Sequence, residues 1–185
     1  MGDQQFIIVP QISSYPGPEA GARKILRWLV ARGIVEAQSS RCGRGAGGLG
    51  HAMAPGAARV LDLPAGVELP LGQPRNGLEI VTERCIYTPV GGFEGRARCP
   101  ECRAEVGEVL LEHLEEWMPG ETDNFACPEC GFEDDINGFP FSQPCAFSDL
   151  GFIFNNWPGR YFVRAFLEEF AERLGFPVTL VQVKL

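Results

Sequence analysis

Long apolar runs are missing from this sequence. Residues 6–9, Phe-Ile-Ile-Val, are closed by Pro10 and fall far short of the ~20 residues of a membrane-spanning helix. The same opening lacks the basic cluster that precedes the apolar region of a secretory signal. Phe6 stands where a myristoylation signal carries Ser or Thr. A cytoplasmic chain with no membrane association is therefore expected. Gly-Lys-Ser and Gly-Lys-Thr are absent, which removes the phosphate-binding loop of ATPases, and His-Glu-x-x-His is absent, which removes one common catalytic zinc arrangement. Seven cysteines cannot all pair with one another, and their spacing does not read as a disulfide framework, so a reducing compartment fits. Basic residues are scarce in one region: residues 101–149 hold 1 basic and 13 acidic groups, a formal charge of −12.

Against these absences stands one repeated tetrapeptide. Cys99-Pro-Glu-Cys102 and Cys127-Pro-Glu-Cys130 are separated by 24 residues. A thiolate metal centre needs four sulfurs in a tetrahedron, and Cys-x-x-Cys is the shortest spacing that lets one backbone turn aim two of them at one ion. Proline after the first cysteine fixes φ and removes an amide, while Gly131 after the second pair suits a positive φ. Arg103 takes that place in the first pair. Cys99, Cys102, Cys127 and Cys130 are accordingly the expected ligands of one Zn2+, with iron the lesser alternative. Cys85 lies in an apolar stretch and reads as a small core residue, and Cys42 and Cys145 receive no role. Cys42 and His51 could be imagined as nucleophile and base, but no third group orients them. His113 reads as a surface residue, since four thiolates already complete a shell.

Charge bears on partners. Residues 1–100 carry 11 basic and 8 acidic groups and residues 150–185 carry 4 and 3, so the acid is concentrated around the cysteines. Four thiolates on a divalent ion add about two further negative charges. Such a field repels phosphate, which argues against nucleic-acid binding through this region. A basic protein partner is one expected complement; acidic groups that merely solubilise the region are the other reading.

In chain order, residues 6–9 suit a buried strand. Pro18 and Glu19 open a helix expected to run to about Arg32, with Ala22, Ile25, Leu26, Leu29 and Val30 on its apolar stripe and Gly33 as its stop. Arg23, Lys24, Arg27 and Arg32 form a basic face. Residues 41–50 contain overlapping Gly-x-Gly-x-x-Gly matches without the strand and continuous helix that would make them a nucleotide site, and they read as a loop. A short helix is expected over 55–62 and a Pro/Gly-rich connection over 64–77. Residues 78–87 read as one strand. Val106, Val109, Leu110, Leu114 and Trp117 give a helix between the cysteine pairs, and 133–138 an acidic turn. A strand over 150–154, a helix bearing Phe162, Val163, Phe166, Leu167, Phe170 and Leu174, and a strand over 178–183 with its apolar Thr179-Val181-Val183-Leu185 face complete the chain.

Removing the cysteine region leaves strand, helix, strand twice over. The fold expected is α+β: a ferredoxin-like split βαβ sandwich with an inserted four-cysteine zinc ribbon, with a looser α+β arrangement as its competitor because residues 34–77 have no clear place in the ideal pattern. The main domain would comprise 1–92 and 140–185, and the ribbon 93–139, projecting from the scaffold. The sheet face opposite the helices, bordered by the glycine loop and basic helix, would be where a ligand is sought.

Residues 99–130 resemble a zinc ribbon and, similarly, the iron-binding knuckles of rubredoxins, which also use Cys-Pro-x-Cys with aromatic packing. That resemblance implies Cys99, Cys102, Cys127 and Cys130 as ligands; Arg103 departs from its usual glycine. As a whole the sequence resembles uncharacterised bacterial proteins that sometimes carry a sugar ABC transporter ATPase label, but without a Walker A lysine or phosphate loop it does not imply nucleotide hydrolysis. Two function classes follow: a non-catalytic zinc protein whose acidic ribbon docks a partner, or an enzyme or redox protein with iron at the cysteines or a small anion near the basic helix and the glycine loop, residues 43–50.

Overall fold

A computed structural model describes residues 3–44 and 48–185. Part of the glycine loop, residues 45–47, lies outside the described residues, as do Met1 and Gly2. The chain is α+β, with three α-helices among the described residues and a sheet whose six strands pair antiparallel in the order β10-β1-β9-β4-β3-β2. These are β1 (Gln4–Pro10), β2 (Val35–Ser40), β3 (Gly50–Met53), β4 (Gly77–Val81), β9 (Gly151–Asn155) and β10 (Val178–Lys184).

The continuous apolar run in β1 reflects burial on both sides of the sheet. Side chains alternate across a strand. Phe6 and Ile8 enter one cluster, with Ile25 and Leu29 of α1 (Pro18–Ala31) and Phe166 and Phe170 of α3 (Arg164–Leu174). Ile7 and Val9 enter another. Both long helices therefore cover one face. Helix α1 begins with Pro18 at its first turn and closes in a Schellman motif: the Gly33 N–H reaches the Val30 carbonyl at 2.9 Å and the Ile34 N–H the Leu29 carbonyl at 2.9 Å, with Gly33 at φ 66°. Its buried side chains include Trp28, which was not on the expected stripe; Trp28 stacks on Phe166 at 5.6 Å, and Arg173 lies over its ring. Leu26 and Val30 lie at the cluster's margin. Phe162 precedes α3 instead of joining it and forms a bridge with Leu61.

Four expectations need correction. Val35–Ser40 and Gly50–Met53 extend the main sheet as the antiparallel pair β2 and β3, and the short helix after them is a 3-10 turn, Pro55–Arg59. Residues 78–87 are not one strand. β4 ends at Val81 and β5 (Cys85–Tyr87) pairs instead with β8 (Ala146–Ser148) in a separate ladder. The break has a cause: Arg84 turns in to donate to the Trp117 and Thr122 carbonyls, at 2.8 and 3.3 Å, and pairs with Asp123. The second face of the sheet is not open either. Tyr87 and Ala146 of the β5–β8 ladder pack over Ile7, Val9, Val181 and Val183, while Arg44 folds back so that its N–H meets the Glu79 carboxylate at 3.0 Å and its guanidinium meets Asp3 at 2.9 Å. The apolar side of β10 thus faces this ladder, Leu180 packs toward the helices, and Leu185 is exposed.

The fourth correction concerns the cysteine region, which is seated on the scaffold and does not project freely. Helix α2 (Gly107–Trp117), the hairpin β6–β7 (Asn124–Ala126 and Glu133–Asp135) and a 3-10 turn, Ile136–Gly138, surround a cluster running from Ala97 to Phe147. Trp117, fully buried, donates its indole N–H to Ser13 Oγ at 2.8 Å. Ser13 also gives its N–H to Asp135 at 3.0 Å, and Tyr15 gives its N–H to Asp149 at 2.8 Å. The loop after β1 is thereby bonded to both halves of the cysteine region. Asp135, expected as part of an acidic turn, also caps the 3-10 turn by accepting the Asn137 N–H at 2.9 Å.

Candidate metal centre

The two Cys-x-x-Cys segments fold into matching turns. In the first, the Arg103 N–H reaches the Cys99 carbonyl at 3.0 Å and the Cys99 N–H the Ala104 carbonyl at 3.0 Å; in the second, the Gly131 N–H reaches the Cys127 carbonyl at 2.9 Å and the Cys127 N–H the Phe132 carbonyl at 2.8 Å. Arg103 adopts φ 62° and Gly131 φ 79°. Arginine therefore takes the left-handed conformation that glycine adopts in the sister turn, and the geometry of the first knuckle is kept at a local steric cost.

These turns bring four sulfurs together. All lie within 4.8 Å of one another, with Cys99 Sγ 3.6 Å from Cys130 Sγ and Cys102 Sγ 3.7 Å from Cys127 Sγ. A tetrahedron with metal–sulfur bonds of ~2.3 Å has sulfur–sulfur edges of about 3.8 Å, so this donor set could hold one metal ion. Cys99 and Cys127 are 1% and 2% exposed and belong to the cluster with Val106, Leu110, Phe125 and Phe139, while Cys102 and Cys130 are exposed. Each knuckle contributes one sulfur from the core and one from the surface.

The thiols respond to this crowding. The N–H groups of Cys130 and Glu129 favour the Cys127 thiolate and lower it to about 7. At Cys102 the Ala104 N–H acts in the same sense, but loss of solvation and hydrogen bonding to the other sulfurs prevail, and the thiol is pushed up to about 12. Cys130 is also raised, against the help of the Phe132 N–H. One thiolate forms readily and its neighbours then resist ionising. A divalent cation removes that opposition, which is the chemistry a four-cysteine donor set supplies.

The remaining candidates fall elsewhere. The His113 ring is bonded through Nε2 to the Asn124 carbonyl at 2.8 Å and packs on Phe125, so it is a partly buried strut of the module and not the surface residue expected. Cys42 is buried, with its sulfur against Gly50 and Gly77, while His51 Nδ1 contacts the Glu36 carbonyl at 3.0 Å. Cys85 is partly buried beside the ladder cluster, and burial pushes the Cys145 thiol up to about 12. On the basic face of α1, Arg32 pairs with Glu169 and Lys24 donates to the Arg173 carbonyl. Among the described residues the four cysteines are the one group of three or more His, Cys, Asp or Glu placed to share an ion.

Sequence reasoning missed the residues that seat the centre: Ser13, Arg84, Asp123 and Asp135. The Ser13-Ser14-Tyr15-Pro16 turn signal marks a loop, but nothing in it marks partners more than a hundred positions away. Comparison with models of known families, with curated protein sequences and with solved structures yielded no match, and so nothing supports the transporter ATPase label.

Proposed function

We propose that this is a non-catalytic protein in which Cys99, Cys102, Cys127 and Cys130 hold one structural zinc ion, and whose acidic metal module docks a basic protein partner. The single observation that carries the reading is the closed four-sulfur set, since four protein ligands complete zinc's usual shell and leave no position for substrate. Burial of Cys99 and Cys127 in the module's own core supports a structural role: the ion would tie the knuckles to the aromatic cluster. Iron would fit the same sulfurs as in rubredoxin; a visible spectrum separates the two, because Fe(III)-thiolate is coloured and zinc is not. Reduced thiolates suit the cytoplasm.

The order β10-β1-β9-β4 with both helices on one face supports reading the main domain as a ferredoxin-like split βαβ unit, widened by the β2–β3 pair. On this reading residues 93–139 are the inserted ribbon. The docking surface is the outer side of α2. Glu108, Glu112 and Glu115 are exposed there, and their spacing of four and three residues sets like charges side by side at a cost to the helix. Asp135 is unsuited to the same role, because it is engaged with Ser13 and Asn137. Reversing Glu108, Glu112 and Glu115 to lysine should abolish salt-sensitive capture of a basic protein in a pull-down while zinc content stays unchanged. An unaltered capture profile would leave the acids as a solvated surface only.

A further inference from the structure

Each of the two short sulfur–sulfur contacts across the centre joins an exposed cysteine of one knuckle to a buried cysteine of the other: Cys102 to Cys127 at 3.7 Å and Cys130 to Cys99 at 3.6 Å. We infer that the centre is an oxidation site for hydroperoxides, in which an exposed cysteine is oxidised first, its buried partner closes a cross-knuckle disulfide, and the metal is released. The inference rests on the zinc reading.

The steps balance. The exposed Cys102 sulfur, which a bound divalent ion would keep as a thiolate, attacks one oxygen of the hydroperoxide, the O–O bond breaks, and hydroxide or alkoxide leaves, giving a sulfenic acid. Cys127 sulfur then attacks the sulfenic sulfur; the S–S bond forms, the S–O bond breaks, and a second hydroxide leaves. Solvent supplies two protons to the leaving groups. Two thiolates together lose two electrons and the peroxide takes both. Cys130 and Cys99 offer the symmetric route. Closing 3.7 Å to the ~2.05 Å of a disulfide removes two donors from the tetrahedron, and the remaining two hold the ion weakly.

Position separates these sulfurs from the other three. Cys42 is buried beneath the sheet-end glycines, and Cys85 and Cys145 are partly buried.

Zinc-loaded protein is treated with hydrogen peroxide while freed zinc is followed with a chromogenic chelator and the disulfides are mapped by mass spectrometry. The expected result is release of one zinc per two thiols lost, with Cys102–Cys127 or Cys99–Cys130 as the first linkage, and unchanged release from a Cys42→Ala/Cys85→Ala/Cys145→Ser variant. A Cys102→His/Cys130→His variant keeps a zinc set of two cysteines and two histidines without an exposed thiol, and its release is lost. Zinc retained until the three other cysteines are oxidised, a first linkage within a knuckle, or unslowed release from the histidine variant overturns the inference while leaving the zinc reading intact. A chain that takes up no zinc at all overturns the zinc reading itself.

Discussion

Trp117 and Ser13, 104 positions apart, share a buried hydrogen bond of 2.8 Å from the indole N–H to the hydroxyl. Arg84 lies over the same indole ring, 4.7 Å from its centroid. The cysteine module is thus held to the loop after β1 by a polar seam in which Ser13 also donates its hydroxyl to the Asp123 carbonyl at 3.3 Å.

Ser13→Ala leaves the Trp117 N–H buried and unpaired, and should cost about 1–3 kcal/mol in urea denaturation without loss of zinc. Combined with Trp117→Phe, which removes the donor, its further cost should shrink. Strictly additive losses would show that the pair does not act as a unit.

Arg103→Gly relieves a side chain held at φ 62° in a turn where the second knuckle uses glycine. The exchange should strengthen zinc retention against a chelator by up to about 1 kcal/mol, since the left-handed conformation costs a non-glycine residue about 1–2 kcal/mol and glycine's looser unfolded state returns part of it. Gly131→Ala should act in the opposite direction. Weaker retention in Arg103→Gly would mean that the arginine side chain contributes more than its backbone costs.

Phe166 touches Trp28, Phe162 and Phe170 at 5.6, 5.1 and 5.7 Å between ring centres. Phe166→Ala should cost on the order of 3–5 kcal/mol, as buried aromatic deletions do, while zinc binding persists under native conditions because the metal module has its own cluster. Joint loss of zinc and structure at the same denaturant concentration would instead make the two clusters one cooperative unit.

Burial raises the Asp149 carboxyl, against the opposing pull of the Tyr15 N–H and Arg84. A carboxyl raised on folding holds more protons in the native than in the unfolded chain between its two pKa values, so its contribution to stability falls as pH rises through that window, which begins at about 4 for an unfolded Asp. Asp149→Asn keeps an acceptor for Tyr15 and should gain on the parent protein as pH is raised from 4 to 7. A variant that loses ground over that range would show that attraction to Arg84 outweighs burial.

How much of this could be read beforehand depended on how local the signal was. The cysteine pairs were legible because two spacings specify two turns, and α1 and β10 because their periodicity runs along one segment. Trp28 was not, because α1 is buried by the sheet on one side and by Phe166 and Phe170 on another, which widens its buried face beyond a single stripe. The β2–β3 pair was hidden because β2 is an edge strand, buried only at Val35, with a register shift between Val35 and Ser39. Thr82, Glu83 and Arg84 were read as strand on propensity, while Arg84 serves a contact to Trp117, 33 positions away. Asp135 and His113 looked like solvent-facing polar groups for the same reason: their partners are set by tertiary packing.

Metal content decides the central claim most directly. Protein purified without added metal, together with its Cys102→Ser and Cys127→Ser variants, is measured for zinc and iron by elemental analysis and for thiolate-to-iron bands in the visible spectrum. The proposed zinc reading predicts about one zinc per parent chain, no colour, and loss of the metal in both variants, since the four sulfurs lie close enough to share one ion. A coloured iron-bearing protein, or variants that retain the full equivalent of zinc, would contradict it.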